Sequence, residues 1–484
     1  MVEQENGLLP IVTFDGATDW KDVLRVASPH LNSEGLDRLK KALGQTVKSV
    51  VVERQYIDKD YRDTFANFHA KKFSTPDSRC VRLHFFDGAV NHQIIRDAAQ
   101  AQGHYAGYSI IRPTRPNCIG RTLVAPKACG LTKAYVTLCE EEVSIQGTKL
   151  KVEGFPFISQ DADVTVCAQS ALWMLSRYFS NRYQIYPETY PYRLTTLTRD
   201  YSIGRLFPTS GLYVWQMAEA LRQTGFAPLI YDRDHYKQDF EHLMYTYIES
   251  GIPILAAFKT HVVVVFGHVS DYAAAANAVP IAGASSIVSS QFNKSFVAND
   301  DNGIPYQVLS SAAGGIPHCL ADVRQFVAPL PERVFLPAES FQKVVTAILS
   351  RPDVGYNALS PMIAGATPCL RLFLTSGKAF KEKLGSRGMG SGLVEDVYRN
   401  LPLPHFIWVC EISHSAIYPD RVLGEIIWDA TRNAYEPDGW IAVHYPEILM
   451  VDWGSALNGP QSLLKFPVVG PTDYPIYQNN LVPL

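Results

Sequence analysis

The apolar residues between positions 167 and 179 recur at intervals of three and four, which is the period of an amphipathic helix. Cys167 stands at the start of that predicted helix, and Leu172, Leu175 and Phe179 belong to its core-facing side. Unpaired backbone N–H groups and the positive end of the helix dipole stabilise a thiolate at this terminus. The pattern therefore makes Cys167 a candidate nucleophile. A buried core cysteine is the alternative interpretation.

A glutamine precedes this helix at a chemically useful spacing. Gln160 lies seven residues before Cys167, where an extended apolar segment gives way to a polar loop. Acyl transfer needs a hydrogen-bond donor for the oxyanion that forms at the attacked carbonyl, and a glutamine amide can supply it. We interpret Asp161 and Asp163 in the same loop as solvated or capping residues.

The first 150 residues mix short helical and strand-like patterns. A helix is predicted over residues 33–44, with Ser33 as a possible N-cap and Gly44 as its end. Strands are predicted at 49–57, 80–86, 105–113 and 119–126, followed by a hairpin that turns near Gln146. Arg112 and Arg121 in these strands could bind an anion, but strand-end salt bridges are the simpler interpretation.

Between about 150 and 330, helical patterns are followed by strand patterns. Helices are predicted at 210–226, with Ser210 or Gly211 near its cap, and at 240–251. The core face assigned to the first of these helices includes Trp215. Continuous β-branched runs at 252–258 and 261–269 predict strands that are buried on both faces. The small-residue segment 273–290 is interpreted as a surface loop, with a short helix as the alternative.

The remainder of the chain begins with a helical pattern at 339–350 and ends in strands. A glycine cluster at 387–392 lacks the spacing and the preceding strand of a phosphate-binding loop, so it is predicted to be a flexible connector. Three carboxylates in apolar strands, Glu411, Glu425 and Asp429, resemble a catalytic group. The preferred interpretation is that they face solvent or pair with arginines such as Arg421 and Arg432.

The composition limits the classes of protein to which the chain can belong. It has 484 residues, 44 basic and 47 acidic side chains and a formal charge of −3, so nothing global favours nucleic acid or an anionic membrane. The N-terminus lacks the pattern of a secretory signal, and charged residues interrupt the apolar stretch 251–269, which argues against a membrane span. The eight cysteines form no C-x-x-C pair, which favours reduced thiols in the cytoplasm.

A thiolate nucleophile also needs a base and a group that orients the base. His261 begins the run HVVVVFGHV, and Asp300 ends the run FVAND 39 residues later. If the two strands are antiparallel neighbours, these side chains can meet. His268 competes with His261 for the role of base, and Asp301 competes with Asp300 for the role of acid.

Several segments in chain order carry a resemblance to a known family. They are Gln160, Cys167 at a helix start, and the runs SGLYVWQMAEALRQTGF, ESGIPILAAF, HVVVVFGH and FVANDDNGIPY. In this order they resemble the bacteriocin-processing double-glycine peptidases and their wider papain-like relatives. The resemblance covers residues from about 150 to about 330. The chain departs from the family in having Ala168 where many relatives have glycine, in the long insertion before FVAND, and in lacking transporter modules, so no bacteriocin leader is implied as substrate.

The resemblance implies an α+β fold in which helices pack on an antiparallel sheet, as a papain-like cysteine peptidase domain. This domain is predicted at 151–330, between mixed α/β domains of unknown role at 1–150 and 331–484. The resemblance makes Gln160 the oxyanion donor, Cys167 the nucleophile, His261 the base and Asp300 the orienting acid. It implies neither a metal nor a cofactor.

The expected function is hydrolysis of a peptide or isopeptide bond in a protein or peptide substrate, by a cytoplasmic enzyme whose oligomeric state is left open. A thiol acyltransferase, similar to a transglutaminase, would use the same residues. A non-catalytic papain-like binding module is the third interpretation.

Overall fold

The computed structural model describes most of the chain as a mixed α/β protein with three large sheets. The residues outside its description are 1, 4–7, 16, 115–117, 162, 210, 282–284, 312–317, 352–365, 389–391, 434–438, 453–462 and 469–472. Strand pairing among the described residues is antiparallel, except for one short parallel pair near the third sheet's edge. The antiparallel sheets agree with the predicted fold class at this coarse level.

The first sheet contains six antiparallel strands in chain order. Its strands are β1 (Val2–Glu3), β2 (Ile11–Thr13), β3 (Ser49–Tyr56), β4 (Cys80–Phe86), β5 (Tyr105–Ile111) and β6 (Ile119–Val124). Its helices are α1 (Trp20–Ala27), α2 (Ser33–Leu43), α3 (Lys59–Asn67), α4 (His92–Arg96) and α5 (Ala98–His104), with 3-10 turns at His69–Lys71 and Pro126–Cys129. The predicted strands are confirmed. The predicted cap is wrong, because Asn32 rather than Ser33 accepts the first-turn N–H of Gly35 at 2.8 Å.

The second sheet is the one that positions the candidate site. Its strand order is β10-β16-β11-β12-β14-β15, and β7 also pairs with β12. The strands of this region are β7 (Tyr135–Thr137), β8 (Cys139–Ile145), β9 (Thr148–Gly154), β10 (Phe226–Asp232), β11 (Ile254–Ala257), β12 (Val262–Ser270), β13 (Ile287–Val288), β14 (Asn293–Asn299), β15 (Gln307–Ser310) and β16 (Gln325–Pro331). Strands β8 and β9 form a separate hairpin that turns at Gln146 and Gly147, as predicted.

Five helices accompany this sheet: α6 (Cys167–Arg182), α7 (Pro191–Thr196), α8 (Val214–Arg222), α9 (Arg233–Tyr236) and α10 (Phe240–Glu249). There are 3-10 turns at Arg199–Tyr201, Lys237–Asp239, Tyr272–Asn277, Ser289–Phe292 and Leu320–Asp322. Both α6 and α10 pack on β12, whose first seven residues are all buried. This burial confirms the prediction drawn from the β-branched run.

Two predictions in this region need correction. Helix α8 starts at Val214 with Tyr213 as its N-cap, later than the predicted cap at Gly211, and Ser210 lies outside the described residues. Trp215 was assigned to the core face of this helix, but half of its surface is exposed. The segment 273–290 contains a 3-10 turn and the short strand β13, as the helical alternative allowed, although residues 282–284 lie outside the description.

The third sheet has the order β13-β17-β18-β20-β21-β22-β23. The remaining strands are β17 (Pro368–Ser376), β18 (Phe406–His414), β19 (Arg421–Val422), β20 (Gly424–Asp429), β21 (Trp440–Tyr445), β22 (Ile448–Asp452), β23 (Leu463–Pro467), β24 (Tyr474–Pro475) and β25 (Leu481–Pro483). The remaining helices are α11 (Ala338–Leu349), α12 (Gly377–Glu382), α13 (Leu384–Arg387) and α14 (Gly392–Asn400). Strand β25 returns to pair with β7 of the second sheet.

Glu411 and Glu425 of the third sheet are buried, so the solvent-facing interpretation is wrong for them, whereas pairing with arginines holds with Arg371 and Arg387 as the partners. Asp429 is half-buried. Glu411 accepts hydrogen bonds from Arg371 at 2.7 Å and from Arg387 at 3.0 Å, and Arg387 also donates to Glu425 at 2.8 Å. Arg387 was predicted to begin a flexible connector, but it is almost fully buried. The centre of that connector, residues 389–391, lies outside the description.

Only one of the two arginines predicted to pair with the strand carboxylates, Arg421 and Arg432, does so. Arg432 lies 3.5 Å from Asp429, as expected, whereas Arg421 pairs with Asp473 rather than with a strand carboxylate.

No helix in the described part of the chain is long and apolar enough to cross a membrane. One cluster of buried apolar side chains includes residues from all three predicted domains. The boundaries at 150 and 330 stay predictions.

Candidate active site

Helix α6 begins at Cys167, which is half-buried. Its N-cap residue, Val166, has no side chain that can accept a first-turn N–H, and the first turn contains no acidic residue. The positive end of the helix dipole is therefore not neutralised at this point. From Ala168 to Phe179 the helix is buried on all sides, so the position of the sulfur is fixed by packing.

The helix is also anchored to the first sheet's region by charge. The Asp60 carboxylate, in the first turn of α3, accepts a hydrogen bond from the Trp173 indole at 2.9 Å and another from Arg177 at 2.7 Å. Both donors lie on α6, and Asp60 and Arg177 are almost completely buried. A buried carboxylate with two donors constrains α6 more strongly than apolar packing alone, because loss of either partner leaves a charge unpaired.

His261 lies immediately before β12, in the turn that joins it to β11. The carbonyl oxygen of His261 accepts a hydrogen bond from the Phe258 N–H at 2.8 Å, which closes this turn. The imidazole Nε2 lies 2.8 Å from Asp300 Oδ1, and the Cys167 side chain is close enough to help raise the pKa of the ring. Since Nε2 is engaged by Asp300, Nδ1 is the nitrogen left for the sulfur.

The two strands bring this pair together as the sequence pattern required. Strands β12 and β14 are antiparallel neighbours, and Val264 pairs with Asn299, the last residue of β14. His261 precedes the first strand and Asp300 follows the second, so both lie at the same edge of the sheet. The intervening insertion does not prevent the contact.

The surroundings favour the charged form of His261. Burial lowers the pKa of His261, but hydrogen bonds to Asp300 and Cys167 and the negative charges of Asp300 and Asp301 outweigh burial and raise it to about 10. At neutral pH the ring is therefore an imidazolium, the electrostatic partner that a thiolate needs.

Asp300 and Asp301 differ in how they meet the imidazole. Asp300 Oδ1 also accepts the Asn302 N–H at 2.9 Å, and although burial raises the pKa of Asp300, its bonds to His261 bring it below its usual value. Asp301 Oδ1 lies 3.8 Å from Nε2, and neither carboxyl oxygen has a hydrogen-bond partner among the described residues. Burial raises the pKa of Asp301 to about 7. The geometry therefore favours Asp300 as the orienting group.

An arginine from the first sheet's region holds the loop that carries these aspartates. Arg38, on α2, donates to the Asp301 carbonyl oxygen at 2.8 Å and to the Gly303 carbonyl oxygen at 2.9 Å. Sequence reasoning missed Arg38, because it lies more than 260 positions away in the chain and belongs to no local motif.

The loop between Gln160 and α6 is organised by Asp161. Its carboxylate accepts the N–H groups of Asp163, Val164 and Thr165 at 3.0, 2.8 and 2.9 Å. Arg112 lies 3.4 Å from the same carboxylate, which confirms the salt-bridge interpretation of this arginine. Asp161 is buried and binds N–H groups of the loop before α6, whose N-cap is Val166, so the prediction that it is solvated or capping is wrong.

Asp163 and Arg121 each form salt bridges with other residues. Asp163 is half-buried and pairs with Lys72 at 2.5 Å. Arg121 is buried and lies 3.2 Å from Asp58 and 3.3 Å from Glu141. The salt-bridge interpretation of Arg121 is therefore confirmed.

Gln160 is half-buried beside this loop. Its carbonyl oxygen lies 3.4 Å from the Arg112 guanidinium, and its side-chain amide donates to the Asn302 side chain, next to the two aspartates. This contact connects the predicted oxyanion donor to the His261–Asp300 edge of the site. The amide has a second N–H group, which is the one available to an oxyanion.

His268 does not belong to this group. It is fully buried in β12, where Nε2 lies 2.8 Å from Glu249 and Nδ1 lies 2.8 Å from the Ser270 hydroxyl. Glu249 in turn pairs with Arg371 of the third sheet. His268 is therefore part of a hydrogen-bond network that joins the second and third sheets through the Glu249–Arg371 ion pair.

An open groove of about 740 Å³ runs over Cys167 and His261. Its walls come from the start of α8, from β10 and β16, and from the turn between β11 and β12. Phe258, in this turn, stacks on His318 with ring centroids 4.6 Å apart, and His318 lies 5.7 Å from the His261 ring. Trp215, a large aromatic residue beside a predicted helix start, is the feature of the sequence that could have identified one wall of the groove.

His261 and the two aspartates beside it also form a set of donor atoms of the kind that binds a metal ion. His261, Asp300 and Asp301 place one ligand atom each within 4.8 Å of one another. An imidazole nitrogen with two carboxylate oxygens is a donor set that Zn²⁺ accepts. The prediction that the chain needs no metal stays a prediction.

Comparisons with known protein families, with curated proteins and with solved structures find no match for this chain. The assignment of a function therefore depends on the geometry of the site.

Proposed function

We propose that the chain is a papain-like cysteine peptidase that hydrolyses a peptide or isopeptide bond. One arrangement carries the proposal: Cys167, at the start of α6, lines the same groove as His261, whose Nε2 lies 2.8 Å from Asp300. Cys167 and His261 come from separate parts of the chain and line an open groove, and Asp300 is buried beside His261. This arrangement provides a nucleophile, a base and an orienting group.

In the proposed first half-reaction the Cys167 thiolate attacks the substrate carbonyl carbon, and a C–S bond forms while the carbonyl oxygen becomes an oxyanion. The Gln160 amide and the backbone N–H of Cys167 donate to this oxyanion. The His261 imidazolium then gives its Nδ1 proton to the leaving nitrogen, and the C–N bond breaks. Asp300 holds the ring orientation throughout.

In the second half-reaction neutral His261 takes a proton from water, and the resulting hydroxide adds to the thioester carbonyl carbon. The C–S bond breaks, the carboxylic acid product leaves and the Cys167–His261 ion pair forms again. The open groove admits either water or an amine at this stage. Adding a primary amine to the reaction tests the acyl-transfer alternative, because a hydrolase yields only the acid whereas an acyltransferase yields an amide.

The proposal predicts that Cys167→Ala abolishes peptide turnover while leaving the folded state intact. Turnover is measured by mass spectrometry on a complex peptide mixture, and folding by circular dichroism. Cys129→Ala is the matched control, because burial raises the pKa of Cys129 to about 12 and its thiol lies outside the groove. Turnover that survives in Cys167→Ala would refute the proposed nucleophile.

A further inference from the structure

The wall of the groove formed by the start of α8 exposes large apolar side chains. Tyr213 is 73% exposed, Trp215 is 50% exposed, and Ile230 on β10 is 42% exposed. The Tyr213 and Trp215 rings are nearly parallel, with an interplanar angle of 7° and centroids 6.4 Å apart. Exposed apolar groups gathered in a concave surface are typical of a binding site rather than of ordinary surface.

The charged side chains that line the groove are positive. Apart from His261, its charged lining residues are Lys259 and Arg324, and no carboxylate lines it among the described residues. Both side chains are exposed, and neither forms a salt bridge with a described residue, although Asp322 lies close enough for its charge to act on Arg324. The chain as a whole has a net charge of −3, so this positive groove differs from the protein's average.

These two features recognise different parts of a ligand. A planar aromatic wall favours an apolar or aromatic side chain, through burial of apolar surface and ring stacking. Two cations without a neighbouring carboxylate in the lining favour a carboxylate and repel lysine or arginine. A ligand that meets both requirements contains an acidic and an aromatic residue within a few positions of each other.

We propose that the groove selects peptide segments in which an acidic side chain lies near an aromatic one. Lys259 and Arg324 bind the carboxylate, and Tyr213 and Trp215 pack against the aromatic ring. This inference rests on the proposed peptidase function for the identity of the ligand as a peptide. It goes beyond that function in naming the substrate class and the residues that select it.

The test measures binding of unlabelled hexapeptides to the Cys167→Ala protein by isothermal titration calorimetry. One position of each peptide is fixed as Glu, Lys, Phe or Ser, and the others are mixed. We expect Glu to be preferred over Lys by about tenfold, since each of two exposed ion pairs is weak on its own. The preference should decrease at high ionic strength because exposed charges are screened.

Variants separate the two parts of the recognition. The double variant Lys259→Glu/Arg324→Glu should reverse the charge preference and keep the preference for Phe over Ser, whereas Trp215→Ala should reduce the Phe preference by about fivefold and keep the Glu preference. The double variant Lys48→Glu/Arg333→Glu changes the net charge equally at exposed sites outside the groove, and it should bind as the parent does.

The outcomes distinguish this inference from the proposed function. If the parent protein cleaves peptides without preferring acidic ones, or if the Lys259→Glu/Arg324→Glu protein still prefers Glu, the inference is overturned and the peptidase proposal stands. If the Cys167→Ala protein binds acidic aromatic peptides but the parent cleaves none, the recognition is supported and the peptidase proposal fails.

Discussion

Replacing Asp300 with asparagine removes the negative charge beside His261 while keeping the shape of the side chain. Asp300 Oδ1 lies 2.8 Å from Nε2, and its hydrogen bond and charge are among the interactions that raise the pKa of His261 from 6.5 to about 10. That difference corresponds to a net preference of about 5 kcal/mol for the charged form, at about 1.4 kcal/mol for each tenfold change, and the favourable interactions together exceed it because burial opposes them. Cys167 and Asp301 share this energy with Asp300.

We assign about 2–3 kcal/mol of it to Asp300, the size of a charge-assisted hydrogen bond in a mostly buried site. The pKa of His261 in Asp300→Asn should therefore fall from about 10 to about 8, at about 1.4 kcal/mol for each tenfold change. The imidazolium is then less stable by the same energy, which shifts the proposed Cys167–His261 ion pair toward its neutral form by about 30- to 150-fold. Turnover should decrease by about a hundredfold or more, because the asparagine also removes the preferred ring tautomer.

Two assays measure the effect of the Asp300→Asn substitution. Nuclear magnetic resonance of histidine-labelled protein gives the pKa of His261 directly, and site-resolved alkylation of Cys167 by iodoacetamide between pH 5 and pH 10 reports the thiolate. Alkylation of the parent should be fast at pH 6, and Asp300→Asn should lose that acidic-side reactivity. Asp301→Asn is the control, since Asp301 lies 3.8 Å from Nε2 without a hydrogen bond and should matter less. An unchanged profile in Asp300→Asn, or a larger change in Asp301→Asn, would refute this reasoning.

The raised pKa of His261 also makes the free energy of unfolding depend on pH. The pKa of His261 is higher in the folded state than in the unfolded state, so the folded protein binds the proton more tightly. The stabilisation is therefore fully present below about pH 6.5 and is lost as the pH rises from 6.5 to about 10. Denaturant titrations of the parent should show this loss, and those of Asp300→Asn should show much less of it.

Two further predictions concern arginines that sequence patterns did not identify. Arg38→Ala removes the donors to the loop that carries the aspartates, so kcat should decrease by about tenfold with little change in KM, as expected for misplaced catalytic groups. Arg387→Ala leaves Glu411 and Glu425 buried with fewer partners and should lower the free energy of unfolding by about 3–5 kcal/mol in denaturant titrations.

Each of these arginines has a matched control. Lys40 lies on the same helix as Arg38 and is exposed, so Lys40→Ala should leave kcat unchanged, and Arg38→Lys should restore part of the lost rate. Arg432 makes a partly exposed ion pair with Asp429, so Arg432→Ala should cost under about 1 kcal/mol. A kcat that Arg38→Ala does not change, or equal losses of stability for the two arginine variants, would contradict these assignments.

The sequence by itself determined the local elements that carry the site. The start of α6 at Cys167, the buried strand after His261 and the hairpin at Gln146 all follow from short-range periodicity, burial pattern and turn residues. The edge at which His261 and Asp300 meet follows from one further assumption, that their strands are antiparallel neighbours. These features depend on residues close together in the chain, so their patterns are visible in it.

The tertiary structure alone decided which residues face one another over long distances. Asp300 and Asp301 are neighbours with the same chemistry, and only the direction of the backbone after β14 gives one of them the hydrogen bond to His261. Trp215 has the periodicity of a core residue, yet no element among the described residues covers it, so it is exposed in the groove. Arg387 lies beside a glycine cluster but is buried, because strands β18 and β20 supply its partners. Exposure and pairing are properties of packed surfaces, which local patterns do not encode.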